Sequence, residues 1–60
     1  MSDLDALAAT AREAQERAAA ARSALYAAVV AAVRDGMSES EAARRAGIDR
    51  MTVRKLLGKR

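Results

Sequence analysis

No glycine or proline occurs before Gly36, and the residues up to that point are dominated by alanine, with arginine next in number. These are the residues that lose least on entering a helix. The spacing therefore predicts one helix from about residue 3 to about residue 34, near 48 Å long at 1.5 Å per residue. Ser2, followed three residues on by Asp5, can cap its start, and the acidic residues of the first turn suit the positive end of the helix dipole. Arg12 with Glu16 and Glu13 with Arg17 stand four apart, a spacing that lends local support. Gly36 and a new cap at Ser38 make the break sharp.

A helix of this length must bury something. Leu4, Leu7, Ala11, Ala14, Ala18, Ala21, Leu25, Ala28 and Ala32 follow one another at spacings of three and four. That is a heptad seam with leucine at its ends and alanine in its middle. The remaining chain is too short to reach back along it, so the expected cover is a second copy of the helix, making a coiled-coil homodimer. Alanine lets two axes approach closely but buries little surface, so the association is expected to be modest. The competing reading is a frayed helical extension whose stripe reflects composition. Strand direction stays open. A parallel pair sets Arg17 against Arg22 of the other copy, which leans the reading towards antiparallel.

From Leu25 onward the apolar surface widens. Tyr26, Val29, Val30 and Val33 form a second stripe, roughly a quarter circle from the seam at about 100° per residue. Two regions follow: an alanine-rich extension, residues 1–24, and a three-helix unit, residues 25–60, whose first helix continues the extension. Tyr26, the sole aromatic, reads as a core-edge residue with its hydroxyl in water.

The stretch Ser38 to Leu57, SESEAARRAGIDRMTVRKLL, reads as two short helices joined by a tight turn. Ser38 and Glu41 make a capping box. Ala42, Ala43 and Ala46 face inward, and Gly47 ends the first helix in the left-handed conformation that costs glycine nothing. Ile48 drops into the core, Asp49 caps the second helix, Val53, Leu56 and Leu57 anchor it, and Gly58 ends it.

Small Ala42 and Ala43, Gly47 at the turn, Ile48 after it, and Val53 and Leu56 beyond make this stretch resemble the helix-turn-helix of bacterial DNA-binding proteins. It is most similar to the resolvase/invertase and sigma-like forms. The resemblance covers roughly the last 37 residues. It implies a second helix lying in the DNA major groove, with Arg50, Met51, Thr52 and Arg54 near its start reading base edges. Arginine can give a guanine edge two donors, and Met51 and the Thr52 methyl suit a thymine methyl. Thr52 can equally bond back to Asp49. Lys55, Lys59 and Arg60 are placed for phosphates, as are Arg44, Arg45 and the helix start capped by Ser38.

Charge is distributed to match. Arg12, Arg17, Arg22 and Arg34 are slightly outnumbered by Asp3, Asp5, Glu13, Glu16 and Asp35, so the net charge of +3 resides wholly after Gly36. A localised basic surface favours a polyanion. Cysteine and histidine are absent, which removes disulfides, thiolate chemistry and any ordinary zinc site. No nucleophile–base pair or phosphate-cradling loop stands out, so no enzyme, cofactor, metal or small-molecule ligand is expected. No apolar run is long enough to span a bilayer and the start does not read as a signal peptide, so the expected location is cytoplasmic, at the bacterial nucleoid. Arginine far outnumbers lysine and alanine dominates, which suggests a GC-rich genome.

The expectation is an all-α protein with a long N-terminal helix and a C-terminal helix-turn-helix. It is read as a small sequence-specific transcriptional regulator, of a phage, plasmid or other mobile element, bound to double-stranded DNA. A recombinase is disfavoured because no catalytic domain precedes the motif. Two alternatives stay open: a nucleoid-associated or DNA-bridging protein of low sequence preference, and a coiled-coil adaptor whose basic end docks on an acidic protein.

Overall fold

The computed structural model describes residues 3–59, so the predicted Ser2 cap and the Arg60 phosphate contact lie outside the described residues. Among the described residues there are three helices and no strand: α1 Asp3–Arg34, α2 Glu39–Ala46 and α3 Arg50–Leu56. The bounds of α1 are those its uninterrupted composition predicts. Its length dominates the molecule, which extends 53 × 20 × 18 Å.

The two breaks are built alike. At the end of α1, Met37 N–H donates to the Ala32 carbonyl at 3.0 Å and Gly36 N–H to Val33 at 3.0 Å. At the end of α2, Ile48 N–H donates to Ala43 at 3.0 Å and Gly47 N–H to Arg44 at 3.3 Å. Each is a six-to-one bond enclosing a five-to-two bond, the pattern that satisfies the last carbonyls when the residue after the helix is left-handed. Gly47 has φ +71°, as the turn demands. An L residue there would suffer steric strain between its Cβ and its own backbone. The apolar residue that follows each glycine, Met37 or Ile48, packs against the core. The glycine thus both stops the helix and aims the next side chain inward.

The new helices start on side-chain caps. Ser38 Oγ accepts from Glu41 N–H at 3.1 Å, and Asp49 Oδ1 accepts from Thr52 N–H at 2.7 Å. Only this half of the expected capping box forms. The Glu41 carboxylate turns forward along α2 to Arg45 at 2.9 Å, an exchange of a backbone donor for a charged one.

The core sits where all three helices meet. Val53 of α3 is fully buried, and Val29, Ala42 and Ala43 are nearly so. Val33, Met37, Ala46, Ile48, Leu56 and Leu57 pack around them. Two adjacent alanines on α2 bring its axis close enough for Val53 and Val29 to meet across it. The valine stripe of α1 therefore receives α2 and α3: Val29 is buried, and Tyr26, Val30 and Val33 are half-buried. Ala46, expected inside, is only half-buried. It lies at the edge of an open apolar groove between α1 and α2, together with Leu25, Ala28, Ala32 and Met37.

The rest of α1 is almost wholly exposed. From Asp3 to Leu25 every residue but Ala9 is exposed, and Leu4 and Leu7 are 74% and 67% exposed. Arg12 with Glu16 and Glu13 with Arg17 keep the predicted spacing without closing into ion pairs. This segment is held helical by propensity alone, a marginal arrangement for a helix standing by itself in water. No helix among the described residues is long and apolar enough to cross a membrane.

Candidate nucleic-acid interface

The orientation of α3 follows from its anchors. Val53 is buried and Leu56 and Leu57 are half-buried, so the opposite side of the helix is turned to solvent. That side carries Met51, 57% exposed, and exposed Arg50 and Lys55. Thr52 and Arg54 flank it, half-buried. The four positions expected to read bases are thus brought together on one short helix but are not equally free.

Thr52 spends its polar groups locally. Its hydroxyl and its N–H both hydrogen-bond the Asp49 carboxylate and hold that carboxyl below its ordinary range. What remains for a partner is its methyl group. Met51 is apolar, unbranched and unencumbered. A flexible thioether of this kind can adapt to an apolar surface.

Arg54 is tied to α2. Its guanidinium donates to Glu39 Oε1 at 3.2 Å, and Lys59 Nζ reaches Oε2 of the same carboxylate at 2.6 Å. Arg50 Nε lies 3.9 Å from Oε1. One carboxylate therefore gathers cations from the start, the middle and the far side of α3. The Glu39 side chain keeps only 15% of its exposure under this cover. The hydrogen bond from Lys59, with the charges of Lys59 and Arg54, holds its carboxyl below the ordinary glutamate range, against the opposing effect of partial burial. This clamp locks the start of α2 to both ends of α3.

Sequence reasoning missed the clamp. Glu39 is the first residue of α2, where an acid is already explained by the helix dipole. Its partners lie 15 and 20 residues further on. The juxtaposition appears only once the turn at Gly47 has folded α3 back beside the start of α2.

The remaining basic residues form a second group. Arg44 and Arg45 share Glu41 at 3.9 Å and 2.9 Å, with side chains 76% and 66% exposed. Pairs this exposed are worth about 1 kcal/mol or less and yield readily to a better anion. Ser38 Oγ is committed to the Glu41 N–H. Lys55 is exposed, and Lys59 is half-committed to Glu39. Among the described residues no three acidic side chains converge as metal ligands would.

Compared with models of known families, with curated proteins and with solved structures, the chain matches none. The described residues form an all-α protein in which a long, largely bare helix carries a compact pair of short helices at one end.

Proposed function

We propose that the chain binds double-stranded DNA, with α2, the Gly47 turn and α3 acting as a helix-turn-helix. In this reading α3 enters the major groove and α1 pairs with a second copy. The observation that carries it is the division of α3 into two sides. Val53 fixes one side in the core, while Arg50, Met51 and Lys55 stand on the other, next to the cations Arg54, Lys59, Arg44 and Arg45.

The groove-facing residues take distinct roles. Arg50 and Arg54 offer guanidinium donors to guanine edges, and Met51 and the Thr52 methyl offer apolar contact to thymine. Lys55, Lys59, Arg44, Arg45 and the Ser38-capped start of α2 approach phosphates on either side, fixing position without reading sequence. Glu39 sets the angle at which Arg54 leaves the helix, so the arginine arrives at a base already oriented. The biological role that fits is a small sequence-specific regulator, whose two half-sites are read by two copies.

Selection from random duplexes followed by fluorescence anisotropy tests this. The selected site should bind roughly 10³-fold or more tightly than bulk DNA. Arg54→Ala should cost about 1–3 kcal/mol and relax preference at one base pair. Equal affinity for every duplex would replace regulation by a coating or bridging role. No binding even at low salt, where phosphate contacts are strongest, would overturn the reading.

A further inference from the structure

The long helix presents two surfaces that need each other. At its start stand Leu4 and Leu7, the most exposed large apolar side chains among the described residues. At its end, between α1 and α2, lies the apolar groove, about 160 Å³, lined by Leu25, Ala28, Ala32, Met37 and Ala46 with Arg45 at its rim. Both lie on one continuous seam, about 38 Å apart between Leu7 and Ala32 at 1.5 Å per residue. No residue of the same chain can bring the two together.

We infer that the groove receives the start of α1 from a second copy, running antiparallel. This rests on the dimer part of the proposed function and adds to it a direction, a register and a seat. Size and charge both select the direction. In an antiparallel pair Leu7 lies opposite the partner's Ala32, Ala11 opposite the partner's Ala28, Ala14 opposite the partner's Leu25, and Ala18 opposite the partner's Ala21. Leu7 and Leu25 then each meet an alanine, which keeps the axes evenly close along the seam. Leu4 extends one turn further, over the partner's Met37 and Ala46. A parallel pair instead stacks leucine on leucine at both ends and spreads the alanine middle apart.

The flanking charges agree. Parallel packing sets Arg17 beside the partner's Arg22 twice, like charges that repel. The antiparallel register replaces both contacts, with Gln15 beside the partner's Arg22 and Arg17 beside the partner's Ala24. It also lays the acidic first turn, Asp3 and Asp5, over the partner's Arg45 at the groove rim.

The chain has no cysteine, so disulfide trapping is clean. Full-length Leu7→Cys and Ala32→Cys chains are mixed in a glutathione redox buffer and the products weighed by mass spectrometry. The antiparallel pair yields the mixed disulfide above either homodisulfide, because only there do the two Cα atoms approach within the roughly 7 Å that a disulfide spans. Isotope-filtered spectra of the native chain should show the Leu7 methyls of one copy against the Ala32 methyl of the other, and the Leu4 methyls against the methyls of Met37 and Ala46. Predominant Leu7→Cys homodisulfides would mean a parallel pair, overturning this inference while leaving the dimer intact. A monomer in sedimentation at all concentrations would overturn both, and DNA binding by the separate anisotropy measurement would still report on α3.

Discussion

Val53→Ala probes the meeting point of the three helices. Among the described residues Val53 is the one side chain with no exposure at all, and it joins α3 to Val29 of α1 through Ala42 and Ala43 of α2. Truncation removes both γ-methyls. Core deletions of one methylene cost about 0.5–1.5 kcal/mol and of three carbons about 2–5 kcal/mol, so two carbons at a site this enclosed should cost about 2–3 kcal/mol. Against that stands the stability available to residues 25–60, about 2–5 kcal/mol at 0.05–0.15 kcal/mol per residue. The loss is therefore comparable with the whole, and α2 and α3 should come apart at room temperature while α1 persists. They hold 8 and 7 of the helical residues against 32 in α1, so far-ultraviolet ellipticity should fall by roughly a third, not collapse. Amide exchange should show protection lost at residues 42, 43 and 53. Val30→Ala, at a half-buried position outside the central cluster, serves as the control and should cost less than about 1 kcal/mol. If Val53→Ala cost less than about 0.5 kcal/mol, or matched Val30→Ala, the three-helix core would not be what holds the short helices in place.

Other outcomes follow from the turns and the clamp. Gly47→Ala meets open space but must sit at φ +71°, so it should destabilise by about 1–2 kcal/mol through backbone strain alone, read in urea unfolding. Ser38→Ala should cost about 1 kcal/mol by leaving the Glu41 N–H without its cap, and Ser38→Asn should recover most of it. The Glu39 carboxyl is lowered in the folded chain, so its contribution is complete above the ordinary value of 4.5 and disappears as pH falls through the folded value. The thermal midpoint should drop between pH 6 and pH 3, and Glu39→Gln should show a smaller drop; an equal drop would remove the clamp from the acid sensitivity. Duplex affinity should fall steeply with salt, and Arg44→Ala should lower that slope by roughly one unit without changing sequence preference.

How much of this could be read beforehand divides along a physical line. Helix ends were readable because each is written in a few adjacent residues: Gly36 and Ser38, Gly47 and Asp49, and Gly58 all act where the sequence predicts. The inward residues were readable because periodicity reports a face. Relations across the turn were not. The hold of Glu39 on Arg54 and Lys59 depends on how closely α2 and α3 cross, which no local spacing encodes. Ala46 was placed too deep for a similar reason. Periodicity assigns it to the buried side of α2, but only the packed helices reveal that α1 diverges there and leaves a furrow. The same separation explains Arg54: its place on α3 was evident, but not that Glu39 would draw it onto the half-buried flank.

The bare stretch of α1 has a bearing on how this protein can vary. Between residues 6 and 24 every side chain but Ala9 is exposed, so substitutions there should leave the three-helix end untouched and, under the proposed pairing, be felt only along the seam. Under that pairing, selection could retune companionship by changing a few small residues without disturbing the packed end.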